Sequence, residues 1–492
     1  MQNYRISLLV ITLCALGAAF SSSSSLVTAQ QPAKAVPAKE SQERPKPAVP
    51  AVPAGNEDEP VAITPKSATV SEEPTPKPAP TLRADQHANF RNPATNGKGQ
   101  VAFLSLHSTP GAAPTSTQTI CVTQSDGNFK MTREGTKILN LKDEITSISS
   151  VAISENGDLT FIANLAGKEQ LPENPNAPNR DQYIAKPTGL FVGNATGIKV
   201  LLRLGEEVPN MPSFFSGIAN ASSNSKGQTA FIGTYTDPDG KGLFILENGK
   251  AKLIARSGQK IGAGETRVFS EHYYPARINE RGEIAWFSRI GSDGGGIFVL
   301  RDGKIENLAM QGKASPMKYK DAAGKEQFAN FIGFGNRAPA INDNGDVLFA
   351  AFYDGPEYGR GLFLKPLNGP LQIVARSGDA IDGMSAQLSD FNYPALNNKG
   401  EVAFLGVYGS RTRGIFVKRK AAVEPVALLD QKLPNGKPED ILNQFLAPVI
   451  NDRGEVLFYG QFRNSSTAIF TWDATKGLRT LVRRGDQMVE AK

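Results

Sequence analysis

Over most of the chain, apolar and polar positions alternate in short runs, and the runs recur. In "EVAF", Val402 and Phe404 fall on one side of an extended backbone and Glu401 and Ala403 on the other. A period of two marks a strand with one face covered. Directly before this run stands Asn-x-x-Gly, and the combination returns seven times: "NGKGQVAF" (Asn96, Gly99), "SENGDLTF" (Ser154, Gly157), "NSKGQTAF" (Asn224, Gly227), "NERGEIAW" (Asn279, Gly282), "NDNGDVLF" (Asn342, Gly345), "NNKGEVAF" (Asn397, Gly400) and "NDRGEVLF" (Asn451, Gly454). The tetrad glycines lie 54 to 70 residues apart. Polar residues ending in glycine suit a turn closed in the left-handed region, joining a short preceding segment to the strand that follows.

Each copy continues in one order. A second strand carries Gly-Leu-Phe or Gly-Ile-Phe at Phe191, Phe244, Phe298, Phe363 and Phe416, with Ile469–Phe470 in the last copy and Ile120–Cys121 in the first. A tight turn follows, as at Asn248–Gly249, Asp302–Gly303 and Asn368–Gly369. Asn-Gly and Asp-Gly tolerate positive φ at both central positions and mark two-residue hairpins. A third strand then ends in Gly plus a polar residue, and a segment with aromatics and proline leads to the next tetrad. Each unit therefore predicts a four-stranded antiparallel meander, innermost segment first.

Four strands per copy at near-constant spacing predict an all-β fold, a seven-bladed β-propeller of four-stranded antiparallel blades. One such sheet cannot cover both its faces, but stacking against neighbours around a ring does so and protects most edges. Phe103, Phe161, Phe231, Trp286, Phe349, Phe404 and Phe458 are expected to fill the spaces between blades. The first copy has its own inner segment, Gln86–Asn96, so no strand need be exchanged between the termini. Closure would rest on packing between the first and last blades; an open solenoid is the alternative.

On these tetrads the chain resembles exported bacterial proteins with tandem N-x-x-G-x-x-A-F repeats. "NGKGQVAF" and "NNKGEVAF" match that pattern in full, whereas "NDNGDVLF" and "NDRGEVLF" carry Leu for Ala and Ser154 replaces Asn. The resemblance spans the repeats alone. It implies export and a repeat fold, and it brings neither an assigned activity nor catalytic residues.

The ends change the picture next. Arg5 followed by the apolar Ile6–Phe20 stretch predicts a signal peptide over 1–29, cleaved after Ala29. A lipoprotein reading would use Cys14, but Leu13 stands where a small residue is needed. Residues 30–80 are rich in Pro, Ala, Lys and Glu and are expected to form a disordered linker, the propeller occupying 81–492. The linker serves either as a spacer that holds the folded part off a membrane or wall, or as a passive leader. The protein is thus expected to be exported, whether periplasmic, on the cell surface or extracellular. Cleavage leaves Cys121 as the sole cysteine, expected to be a small buried hydrophobe because sibling repeats place Phe there. With 48 Gly, 33 Pro and a formal charge of only +6 spread over 492 residues, no basic run points to nucleic acid.

Catalytic motifs are scarce. His87, His107 and His272 have no metal-ligand spacing, and no nucleophile elbow or phosphate loop occurs. No cofactor or metal is expected. Asp237 with Asp239, and Asp343 with Asp346, fall short of a calcium ladder and suit turns. Arg133, Arg203, Arg256, Arg376 and Arg483 recur two residues before a glycine, which suggests a structural role, pairing with acids such as Glu401 or Asp346.

Topology supplies the best site argument. In a meander blade the tetrad turns and the Asn-Gly turns share one face; the other face holds the second-to-third connections and the blade crossovers, where the long insertions fall. Variable loops on a rigid scaffold are where binding resides. That face gathers His107, Arg180, Asp181, Tyr183, His272, Tyr273, Tyr319, Tyr353, Asp354, Tyr358, Arg360 and Arg411. The expectation is a non-catalytic propeller that binds a protein or a polysaccharide through these loops. The alternatives are a polysaccharide hydrolase or lyase using Asp181, Asp354 and Glu357 near the channel mouth, and a purely structural envelope component.

Overall fold

The computed structural model describes residues 86–486 apart from 92, 109–115, 124–128, 134–144, 167–168, 171–182, 185–187, 195–196, 237–238, 263–264, 271–274, 292–293, 336–337 and 357. The expected signal peptide and linker lie outside the described residues. Among those described there is no helix. Seven antiparallel sheets follow one another, over 87–133, 145–203, 215–256, 277–310, 314–376, 388–428 and 442–483. Each is a meander whose strands pair in chain order. Blade 2 carries an inserted hairpin, Glu169–Gln170 with Tyr183–Ile184, and blade 5 gains an edge strand, Ala314–Lys320, paired with Glu326–Phe334.

The ring is closed. Every innermost strand lies against the innermost strand of the next blade, and Val449–Ile450 of blade 7 lies against Ala94–Thr95 of blade 1. No strand is exchanged, as expected: blades 1 and 7 are each built from one continuous stretch. At the seam, the Gly485 amide donates to the His87 carbonyl at 2.8 Å and the His87 amide to the Asp486 carbonyl at 3.1 Å. Phe90, Phe103 and Cys121 of blade 1 share a core with Leu457, Ile469 and Val482 of blade 7. An open solenoid would leave this apolar surface in water.

The seven repeated aromatics are all fully buried. Each stands directly across from the Phe of the Gly-Leu-Phe or Gly-Ile-Phe strand, and six of the seven pairs stack, from 5.3 Å for Phe458 on Phe470 to 5.8 Å for Phe349 on Phe363. In blade 1 the partner of Phe103 is Cys121, buried as expected. Such offset pairs add roughly 0.5–1.5 kcal/mol beyond the area they cover.

The tetrads do more than turn the chain. Their glycines all adopt left-handed φ, between 76° and 88°. The Asn or Ser that opens each tetrad is only 2–4% exposed, a burial that a primary amide tolerates only with its hydrogen bonds satisfied. Asn279 shows how. Its Oδ1 accepts from the amides of Arg281 (3.1 Å) and Glu283 (2.9 Å); its Nδ2 donates to Glu283 Oε2 (2.7 Å) and, across the blade boundary, to the Asn342 carbonyl (2.9 Å). Asn96, Asn224, Asn342 and Asn397 make the same outward bond to the next tetrad at 2.9–3.1 Å. Ser154 is too short, and Asn156 reaches blade 3 instead, donating to the Ser225 carbonyl at 2.9 Å.

Two smaller expectations are corrected. Asn248–Gly249 and Asp302–Gly303 have positive φ at both residues, whereas at Asn368–Gly369 only the glycine does, at 136°. Among the described side chains no ion pair joins Arg256, Arg376 or Arg483 to Glu401 or Asp346, whose carboxylates accept from Asn397 and Asn342 of their own tetrads. Instead the arginine's own amide is capped by the side chain three residues on, as in Arg203 to Glu206 (2.8 Å) and Arg376 to Asp379 (2.9 Å). Arg483 adds a forked bond to Asp440 at 2.6 and 2.7 Å.

Candidate functional site

Among the described residues, the crossover face shows a cleft built from two blades. A space of about 280 Å3 runs down between blades 5 and 6. In blade 5, Phe334 on Glu326–Phe334, Phe352 on Val347–Tyr353 and Arg360 on Gly359–Lys365 form one wall; Asp390, Phe391 and Asn392, on Leu388–Leu396 of blade 6, form the other. Cross-strand register sets this wall, because Phe352 stands opposite both Gly333 and Arg360, so the large side chains rise beside a residue that has none. Arg360 lies with its guanidinium carbon 5.2 Å from the centre of the Phe352 ring and donates through Nη1 to Asp390 Oδ2, tying the two blades at the rim. The other Asp390 oxygen accepts from the Phe391 amide at 2.8 Å. Tyr358 stacks on Phe352 with ring centres 6.0 Å apart and planes 25° apart, yet is 61% exposed.

The twelve candidates named from sequence meet different fates. Arg360 lines this cleft, and Tyr358 stands beside it, stacked on the Phe352 ring. Tyr353 does neither; it is 7% exposed and sits edge-on to Phe363 in the blade core, so it is removed from the surface set. Asp354 accepts from the Asn330 amide, holding the end of the second strand to the first. Tyr319 packs half-buried against the core between blades 4 and 5. Arg411 is exposed in the turn between Val402–Tyr408 and Thr412–Arg419, with φ 86°. His107 ends a blade 1 strand and Tyr183 sits in the blade 2 hairpin. Arg180, Asp181, His272 and Tyr273 lie outside the described residues, as does Glu357 of the acidic alternative.

Carboxylates do converge on the axis, but on the opposite face and from positions that sequence reasoning treated as turn formers. The acidic second residues of four tetrads reach back to the preceding blade: Glu155 accepts from the Gly97 amide, Glu280 from Ser225 (3.0 Å), Asp343 from Glu280 (2.8 Å) and Asp452 from Asn398 (2.8 Å). Asn398 closes part of the circle, donating at 2.8 Å to both Asp343 and Asp452. Burial, with Asp343, Asp452 and Glu280 adding their charge, pushes the Glu155 carboxyl above its usual range, against the lowering bond from Gly97. A signal was present in the acidic second letters of "SENG", "NERG", "NDNG" and "NDRG". These groups are occupied as blade-to-blade links. The Asp346 carboxylate, weighed above for calcium, accepts from the Asn342 side chain (3.1 Å) and the Leu367 amide (3.0 Å); Asp237 lies outside the described residues.

Arg277, two residues before the blade 4 tetrad, stands where the other blades carry Ala94, Ala152, Ser222, Ala340, Ala395 and Val449. It is solvent-accessible, yet loss of bulk water around it holds its guanidinium below the usual value.

Seven meander blades closed by inter-blade packing define a seven-bladed β-propeller. The chain matches the model of a family of unknown function, DUF7453, over residues 64–296 and again over 188–418, and it belongs to that family. No curated protein matches it. Among solved structures it is similar to the β-propeller domain of the Trilobed protease from Pyrococcus furiosus, with 12% identity over 82% of this chain and 100% of that one and a TM-score of 0.45. It is also similar to Pyrococcus horikoshii acylaminoacyl peptidase, at 11% identity and TM-score 0.45, covering 82% of this chain but only 54% of the peptidase. A periplasmic gluconolactonase of Pseudomonas aeruginosa follows at 10% identity and TM-score 0.35, over 82% of this chain and 98% of that one. The fold assignment rests on the seven sheets and their closure rather than on these likenesses.

Proposed function

We propose that the protein is an exported, non-catalytic β-propeller that binds a protein or polysaccharide through its crossover face, the blade 5–6 cleft being the main contact. The observation that supports this reading most is Tyr358, held largely in solvent on the Phe352 ring beside the Arg360–Asp390 pair. Aromatic and arginine anchors of this kind carry most of the energy of recognition surfaces. The acidic ring on the other face is not read as catalytic machinery, since its carboxylates already accept main-chain N–H groups.

The test blocks one face at a time. In a Cys14→Ser background, Arg411→Cys and Lys304→Cys present single thiols on the crossover and turn faces, Cys121 being buried. Each is capped with a polyethylene glycol maleimide and sedimented with isolated cell envelopes. Retention should be lost with the cap at 411 and kept with the cap at 304. Loss with the cap at 304 alone, or no retention of the uncapped protein, overturns the reading. Protease treatment of the envelopes separates a protein ligand from a polysaccharide.

A further inference from the structure

We infer that the blade 5–6 cleft is a subsite for a neutral pyranose unit of a glycan. This rests on the crossover-face reading and narrows it to one ligand class. A pyranose ring has an apolar face of C–H groups and a rim of hydroxyls, each able to donate and to accept. The cleft and its edge together offer the counterpart of both. Tyr358, beside the cleft lining, is an exposed flat ring stacked on Phe352, whose own ring lines the cleft. Arg360 commits Nη1 to Asp390, and among the described residues its remaining side-chain N–H groups have no protein partner. The half-buried Asn392 amide, on the facing blade, likewise has none among the described residues. Adjacent sugar hydroxyls can accept from the guanidinium, donate to Asp390 and do either with Asn392.

Charge decides between sugars. The guanidinium and carboxylate lie side by side and their formal charges cancel, so an anionic sugar drawn to Arg360 meets Asp390 at the same place. A neutral unit engages both without disturbing the pair. The cleft volume of about 280 Å3 suits one ring, with the chain continuing over Tyr358 to either side.

Titration calorimetry of the full chain with neutral glucose hexasaccharides (β-1,3-, β-1,4- and α-1,4-linked) and with hexagalacturonate tests this. At least one neutral hexamer should bind with Kd below about 1 mM. Tyr358→Ala and Asp390→Asn should each weaken it about tenfold or more, and Tyr358→Phe should retain it. Unchanged melting of Tyr358→Ala separates lost contact from lost fold. Three results overturn the inference: no neutral hexamer saturating below about 10 mM, hexagalacturonate binding more tightly, or Tyr358→Ala binding normally. If any of these occurs while the cap at 411 still abolishes envelope retention, the sugar assignment falls and the crossover-face reading stands. Retention abolished only by the cap at 304 removes both.

Discussion

The two faces of the ring are built on opposite rules. On the turn face seven tetrads share a buried Asn or Ser and a left-handed glycine, and in five of them the second residue's side chain reaches the preceding blade. Five of the six buried Asn amides donate to the neighbouring blade, and Asn156 and Arg453 bridge the two boundaries that remain, so the face works as a clasp. On the crossover face four blade connections share a short antiparallel bridge, and insertions break that pattern: blade 2 carries an extra hairpin, and blade 5 carries both an extra edge strand and the exposed Tyr358. What repeats holds the molecule together, and what does not repeat is free to recognise something else.

The comparison can be broken most forcefully in the packing that both faces share. Phe404→Ala removes a fully buried ring stacked on Phe416 and should cost about 3–5 kcal/mol in denaturant titration. An unchanged midpoint would contradict the inter-blade role of these rings. Next comes the clasp: Asn397→Ala strands the Lys399 and Glu401 amides and the Asn451 carbonyl, for a loss of about 1–3 kcal/mol. The reverse change at its weak point sharpens the rule. Ser154→Asn should add the missing outward bond to blade 3 and gain about 1 kcal/mol, provided Asp158 takes the role of Glu283.

The acidic ring gives a smaller, pH-dependent effect. Glu155 has its folded carboxyl pKa raised by burial above the ordinary 4.5, so folding is favoured with the proton on. That contribution is full below the unfolded value and is lost as pH rises through the folded one. Glu155→Gln keeps an acceptor for Gly97 without the charge; it should melt higher than the parent at neutral pH, and the gap should close below about pH 4. A gap that widens on acidification would refute the assignment. The smallest effect belongs to the other face: Tyr358→Ala should change stability by less than about 0.5 kcal/mol, because the ring is 61% exposed. A large loss would make Tyr358 a structural residue and void the contrast.

Tyr353 and Tyr358 show how far the chain could be read unaided. Counting by twos from Val347 through Phe349 and Ala351 reaches Tyr353, so the alternation by itself places Tyr353 on the core face and not among the loops. Tyr358 lies past the strand, where no period applies, and its exposure emerged only with the fold. Of the cleft wall, Arg360 alone was legible; Phe352, Asp390 and Asn392 looked like ordinary strand residues.

By itself the sequence determined the number of blades, the meander within each, the left-handed tetrad glycines and the burial of the repeated aromatics. These follow from local backbone rules repeated seven times, and each copy checks the others. Only the tertiary structure decided that the ring closes, that the tetrad side chains clasp neighbouring blades, and that Arg360 meets Asp390. Those contacts join residues that lie 30 to several hundred positions apart, and no local period encodes which of two distant side chains will face each other once the circle is complete.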